Sequence, residues 1–123
     1  MNASQLRQRM RVVCREIQRQ AKTLMEQKVF LQGGVYRLRR RCGKTGCRCE
    51  RGELHESWVL RTRQKGEQRM RAVPRGQEAR WRTLSEHYRR FRRARVELGR
   101  QCRQLQRLAG ELQRARTVAP PSA

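Results

Sequence analysis

Cys42, Cys47, Cys49 and His55 place three thiols and one imidazole within fourteen residues, in the pattern Cys-x4-Cys-x-Cys-x5-His. Ionised thiols and a neutral imidazole are the donors a structural zinc ion takes, four at a time and tetrahedrally. Gly43, Gly46 and Gly52 are interspersed among them and supply the backbone freedom of a tight ligand loop. Lys44, Arg48 and Arg51 stand beside the ligands, offset the negative charge of a zinc tris-thiolate and favour ionised cysteines. Four protein ligands close the coordination shell, so the expected cofactor is a structural zinc rather than a hydrolytic one. In so small a core its binding free energy is folding free energy. Free or redox-active thiols and an iron–sulfur cluster are the competing readings. If His55 is not the fourth ligand, Cys14, Cys102 or His87 must supply it. Otherwise Cys14 and Cys102 read as small core residues, and His87 as helix surface.

The elements that must position this loop follow from hydrophobic spacing. From Ser4 to about Leu31, Leu6, Met10, Val13, Ile17, Leu24 and Leu31 fall mostly at steps of three, four or seven, as an amphipathic helix requires. Asn2 or Ser4 can cap its start, and Gly33-Gly34 can stop it. From Val35 to Val73 the period becomes two, with strands expected at 35–41, 57–64 and 68–73. Tyr36, Leu38, Trp58, Leu60, Met70 and Ala72 then form an apolar face. Arg37, Arg39, Arg41, Arg61, Arg63, Arg69 and Arg71 form the other, with Lys65-Gly66-Glu67 as the hairpin turn. Pro74 ends the sheet.

A long helix is expected from Gln77 to about Arg116. Its seam runs through Trp81, Leu84, Tyr88, Phe91, Leu98, Cys102, Leu105, Ala109 and Leu112, with Arg95 filling the remaining position. It exceeds the first helix by about a dozen residues, which leaves seam over for another chain. The expected fold is therefore α+β and mostly helical. An N-terminal helix (1–34) and a long C-terminal helix (76–116) pair as a coiled-coil-like hairpin around a three-stranded antiparallel sheet with a zinc-knuckle loop (35–75). A disordered tail follows (117–123).

The chain has 123 residues, 32 Lys and Arg against ten acids, and a net charge of +22; all ten acids are Glu, with no Asp. That length excludes a multi-domain architecture, and the missing Asp excludes a two-metal carboxylate centre. So large an excess of Arg makes a polyanion the natural partner. No apolar run of roughly 18 residues could span a bilayer, and no secretory signal opens the chain. Clustered thiols without an export signal point to a reduced, cytoplasmic setting, with a nucleoid association in keeping with the charge. A membrane surface is disfavoured, because the outward stripe of Arg on the long helix lies opposite the apolar seam.

The segment from Arg41 to His55 resembles the centre of a family of small prokaryotic proteins of unknown function. Its members share a helix, a Cys-Gly-Lys-x-x-Cys-x-Cys-x-x-Gly-x-x-His core, strands ending in Val-Pro and a final long helix. The resemblance covers roughly residues 30–100 and is most specific at 41–55. Glu56-Ser57-Trp58 stand where that family usually has Gly-Pro-Tyr. Genes of this type are often found near transposases, so the resemblance implies a mobile-element setting.

The expected function is that of a zinc-stabilised, basic nucleic-acid-binding protein, an accessory factor in DNA transactions. Its contacts are expected from the seven sheet arginines, from Arg48 and Arg51 of the loop, and from Arg89, Arg90, Arg92 and Arg93 on the long helix, mostly to phosphate. Duplex DNA is favoured over RNA because most of the few aromatics are assigned to the helical seam or the apolar sheet face, leaving few for base stacking. The alternative is a helical adaptor that forms a homodimer, or docks on a transposase or recombinase, through the C-terminal helix. No enzyme is expected: His55 and His87 are the only imidazoles, no Asp could orient either, and no glycine-rich phosphate loop follows a strand.

Overall fold

A computed structural model describes residues 1–122. Helix α1 spans Ala3–Leu24, strands β1, β2 and β3 span Gly34–Arg40, His55–Gln64 and Glu67–Ala72, and helix α2 spans Glu78–Arg116. The protein is α+β, with two helices and one antiparallel sheet in the order β1-β2-β3. It divides into two compact units. One is residues 1–27 with the chain from Arg90 onward, and the other is Lys28–Arg89. Residues 117–122, within the tail expected to be disordered, form no helix or strand. Ala123 lies outside the described residues.

In the first unit, α1 and the later part of α2 run antiparallel. Glu26 pairs with Arg90 at 2.7 Å, while far from that pair Leu6 and Val13 are buried in one cluster with Leu108. Met10, Ile17, Leu105 and Leu112 pack around them. Each fully buried Leu contributes about 1.5–3 kcal/mol through removal from water. Asn2 caps α1 reciprocally: its Oδ1 accepts from the Gln5 amide at 2.9 Å, and its own amide donates to Gln5 Oε1 at 3.0 Å.

Two expectations for the helices are corrected. First, α1 ends at Leu24, not near Leu31. Thr23 turns its hydroxyl onto the Arg19 carbonyl at 3.3 Å, and the Met25 and Glu26 amides fold back onto Ala21 and Thr23. Beyond this cap, in the second unit, the Leu31 amide donates to the Leu84 carbonyl and His87 Nδ1 to the Val29 carbonyl. These bonds outweigh the weak helical propensity of Val29-Phe30. His87 is thus half-buried and engaged. Second, the α2 seam changes phase. Ala94 is buried where Arg95 was expected, and the inward series continues through Leu98, Gln101, Leu105, Leu108 and Leu112. Cys102 and Ala109 are consequently exposed, and so is Cys14, which follows the buried Val13. Neither Cys14 nor Cys102 is a core residue.

In the second unit, β2 is the central strand, with Val59 and Leu60 both buried. Adjacent strand residues face opposite ways, so each face of the sheet has a covered centre. Register then corrects the arginine face. Arg37 pairs with Trp58, Arg39 with Glu56, Leu60 with Arg71 and Thr62 with Arg69. Arg37, Arg39, Arg69 and Arg71 therefore share a face with Trp58 and Leu60. Arg61 and Arg63 lie on the other, with Tyr36, Leu38, Arg40 and Met70. Arg41 falls just past β1.

For β3 the cause is one residue of turn length; the β1–β2 register is set separately by the ligand loop, which closes on the pairing of Arg40 with His55. Lys65 (φ 50°) and Gly66 (φ 79°) alone make the β2–β3 turn, so Gln64 pairs with Glu67. A two-residue turn with positive φ at both positions suits the twist of a hairpin. A turn that also took in Glu67 would have shifted the register by one and placed Arg61, Arg63, Arg69 and Arg71 together.

The start of α2 lies on the first of these faces. Arg82 sits over the Trp58 ring at 4.9 Å, and Arg37 is 5.1 Å from the same ring. Ser85 donates its hydroxyl to the Gly33 carbonyl at 2.8 Å. The stretch of α2 that extends past α1 thus packs against the sheet of its own chain.

Candidate metal centre

The ligand loop joins β1 to β2, and the pairing of Arg40 with His55 closes it. Cys42 follows β1 by two residues. Cys47 precedes a single 3-10 turn, Arg48–Arg51, which carries Cys49, and His55 is the first residue of β2. The turn places Cys49 inward at 1 % exposure, while Cys47 is half-buried and Cys42 and His55 are exposed. Gly52 ends the turn with φ 98°, its amide returning to the Cys49 carbonyl, and Gly46 turns the chain into Cys47 with φ 78°. Nothing would touch a Cβ at either glycine, so the requirement there is conformational and not one of space.

The four donor atoms lie within 4.8 Å of one another. Cys42 Sγ is 3.6 Å from Cys49 Sγ, and Cys47 Sγ is 3.1 Å from His55 Nε2. Metal–sulfur bonds of about 2.3 Å in a tetrahedron set sulfurs about 3.8 Å apart, so one ion fits among these groups with little movement. Sequence spacing and geometry select the same four residues. His55 supplies the imidazole, whereas Cys14, Cys102 and His87 are outside the group.

Backbone amides prepare the sulfurs for negative charge. The Cys42 amide donates to Cys49 Sγ at 3.5 Å and the Lys44 amide to Cys42 Sγ at 3.4 Å. The first holds the Cys49 thiol below its ordinary pKa, against the effect of burial. At Cys42 the Lys44 amide lowers the pKa, but the neighbouring Cys47 and Cys49 side chains together with burial outweigh it, and the net shift is upward. Closely spaced sulfurs resist ionising together unless a cation joins them. The Cys3His group can hold a metal ion.

The expected nucleic-acid residues are dispersed. Arg48 and Arg51 are exposed on the ligand loop. Arg37 and Arg39 flank Glu56 at 3.8 and 3.2 Å. Arg89 pairs with Glu86 at 3.1 Å and Arg90 with Glu26, while Arg92 and Arg93 are exposed on α2. Sequence reasoning missed three things. Glu56 neutralises part of one sheet face, Arg40 joins Arg61 and Arg63 on the other, and Tyr36 is 45 % exposed there rather than buried. The second and third follow from the β1–β2 register, which the ligand loop closes and for which the sequence carried no signal.

Fold and site together define a small α+β protein whose β1–β2 connection carries a Cys3His group that can hold a metal ion. A family model described as a domain of unknown function (DUF6788) matches residues 4–83, and the chain belongs to that family. The matched segment contains α1 from its second residue, the whole sheet and all four ligand residues. No curated protein and no solved structure matches the chain. Among the described residues, no helix is long and apolar enough to cross a membrane.

Proposed function

We propose that the protein is a zinc-stabilised nucleic-acid-binding protein without a catalytic step of its own. One observation carries this reading: a net charge of +22 on a chain whose sheet, ligand loop and helices all present exposed arginine. Guanidinium pairs two phosphate oxygens at once, and most contacts are to phosphate. Zinc is the metal that a Cys3His tetrahedron suits best, and here it closes the β1–β2 connection. Its role is to fold the sheet that carries the arginines. A mobile-element setting rests on the resemblance of the Cys–His core alone, and a cytoplasmic one on the clustered thiols.

The expectation of duplex DNA over RNA assumed that few aromatics are left for base stacking, with Tyr36 held in the apolar sheet face. The exposure of Tyr36 removes that premise. Phosphate recognition is common to all these ligands. A binding titration with duplex DNA, single-stranded DNA and structured RNA tests the reading. Contacts to about six phosphates weaken binding about 1,000-fold between 50 and 200 mM salt. Negligible affinity for all three at 50 mM salt would contradict it.

A further inference from the structure

The register of the sheet sorts its charges unequally. Glu56 and Glu67 both fall on the face that also bears Trp58, Arg37 and Arg39, and the start of α2 lies on that face through Arg82. The opposite face bears Tyr36, Arg40, Arg61, Arg63 and Met70 and has no acidic residue in the strands. Among the described residues, the sheet's ion pairs of Arg37 and Arg39 with Glu56 are on the α2 side. The opposite face is thus a cationic surface without an acid in its strands.

That face also has open ring and thioether surface. Tyr36 is 45 % exposed and Met70 48 % exposed. The Tyr36 hydroxyl reaches back along β1 to within 2.7 Å of where a Gly34 side chain would stand, so the ring lies along the strand over a residue without one. The Arg61 guanidinium stacks on that ring at 5.0 Å. Stacked aromatic and guanidinium planes are the surfaces on which unpaired bases stack, with nearby cations on the intervening phosphates. A duplex, whose bases are already stacked, has no use for them.

Resting on the nucleic-acid reading above, we infer that this face, with Tyr36 and Arg61 at its centre, is a binding platform for a single-stranded polynucleotide. One base stacks on the Tyr36–Arg61 pair beside Met70. Arg63 towards the hairpin and Arg40 towards the ligand loop take phosphates on either side. Arg40 pairs with the metal-ligand candidate His55, so the strand's path continues towards the exposed Arg48 and Arg51.

The test is fluorescence anisotropy of the zinc-loaded full chain with a labelled thymidine 20-mer and with a 20-base-pair duplex. Wild type is compared with Tyr36→Ala and Tyr36→Phe. Loss of one stacked base weakens 20-mer binding by about 5- to 100-fold in Tyr36→Ala. Tyr36→Phe keeps the ring and stays within about threefold of wild type, and duplex binding changes less than 20-mer binding. In the unmutated protein, the Met70 methyl resonance shifts on addition of the 20-mer, which tests the platform even if Tyr36→Ala does not fold. An unchanged 20-mer affinity in folded Tyr36→Ala, or a Met70 signal indifferent to the 20-mer, overturns this inference. If the duplex still binds with a steep salt dependence, the broader proposal survives that result. Absence of binding to either probe removes both.

Discussion

The sulfur of Cys47 and Nε2 of His55 lie 3.1 Å apart, although eight residues separate them. The contact exists because the 3-10 turn Arg48–Arg51 reverses the loop and the pairing of Arg40 with His55 brings β2 back beside β1. Ligand loop and sheet register are therefore one construction. Whatever loosens the four donors also loosens β1 on β2, and with it the two faces on which the arginines are displayed.

Removal of Cys49, the one fully buried donor, tests that linkage. Cys49→Ser should lower stability by about 3 kcal/mol or more, seen as a fall of roughly 10–20 °C in the thermal midpoint. Chelator should reproduce the fall in wild type and add nothing in the variant. The sheet unit reports through Trp58 fluorescence, since Arg37 and Arg82 both sit over that ring.

The helix pair should depend on Leu6 and Leu108, which are 2 % and 3 % exposed. Leu108→Ala removes a side chain from a packed cluster and should cost about 2–4 kcal/mol in urea unfolding. Cys102→Ala, on the exposed side of the same helix, should change stability by less than about 0.5 kcal/mol. Equal costs for the two would mean that the seam phase described above is wrong.

At Lys65-Gly66 the left-handed conformation is required twice, with φ of 50° and 79°. Gly66→Ala should destabilise the protein by about 1 kcal/mol, because a Cβ is strained at positive φ. Lys65→Asn should instead stabilise it by a few tenths of a kcal/mol, since Asn tolerates that region better than Lys. Chemical denaturation of the pair of variants, in opposite directions, checks the turn that sets the arginine register.

Acid should weaken the helix pair through Glu97. The Arg100 guanidinium, aided by the Gln101 side-chain amide, holds its pKa down to about 2 from an ordinary 4.5. A carboxylate with a lowered folded-state pKa contributes stability that is fully present above pH 4.5 and is lost as pH falls toward 2. Stability measured across that window by circular dichroism should fall less steeply in Glu97→Gln. An unchanged slope would assign the acid response to other carboxylates.

Much of this was legible in the residues themselves. The Cys–His spacing selected the four donors because ligand chemistry depends on local sequence, and the change of period from 3.6 to two located the sheet between the helices. What escaped depended on tertiary context. The end of α1 was hidden because the seven-residue step from Leu24 to Leu31 continues a helical pattern while the Leu31 and Val29 backbone groups bond to Leu84 and His87 instead. The arginine face was misassigned because alternation fixes which residues of one strand share a face, whereas pairing between strands depends on the β2–β3 turn, one residue shorter than expected, and on how the ligand loop closes β1 onto β2. Arg95 was placed in the seam because a strict heptad was extended past Phe91, where the packed series steps to Ala94.

The central claim is that a metal ion joins Cys42, Cys47, Cys49 and His55 and holds the sheet together. It is tested most directly by native mass spectrometry and elemental analysis of purified, folded full-length protein. About one zinc per chain is expected, lost together with the β1–β2 pairing on chelation and lost in Cys49→Ser. A folded preparation with less than about 0.5 zinc per chain and a thermal midpoint indifferent to chelator would contradict the account, since a tetrahedral structural site predicts full occupancy.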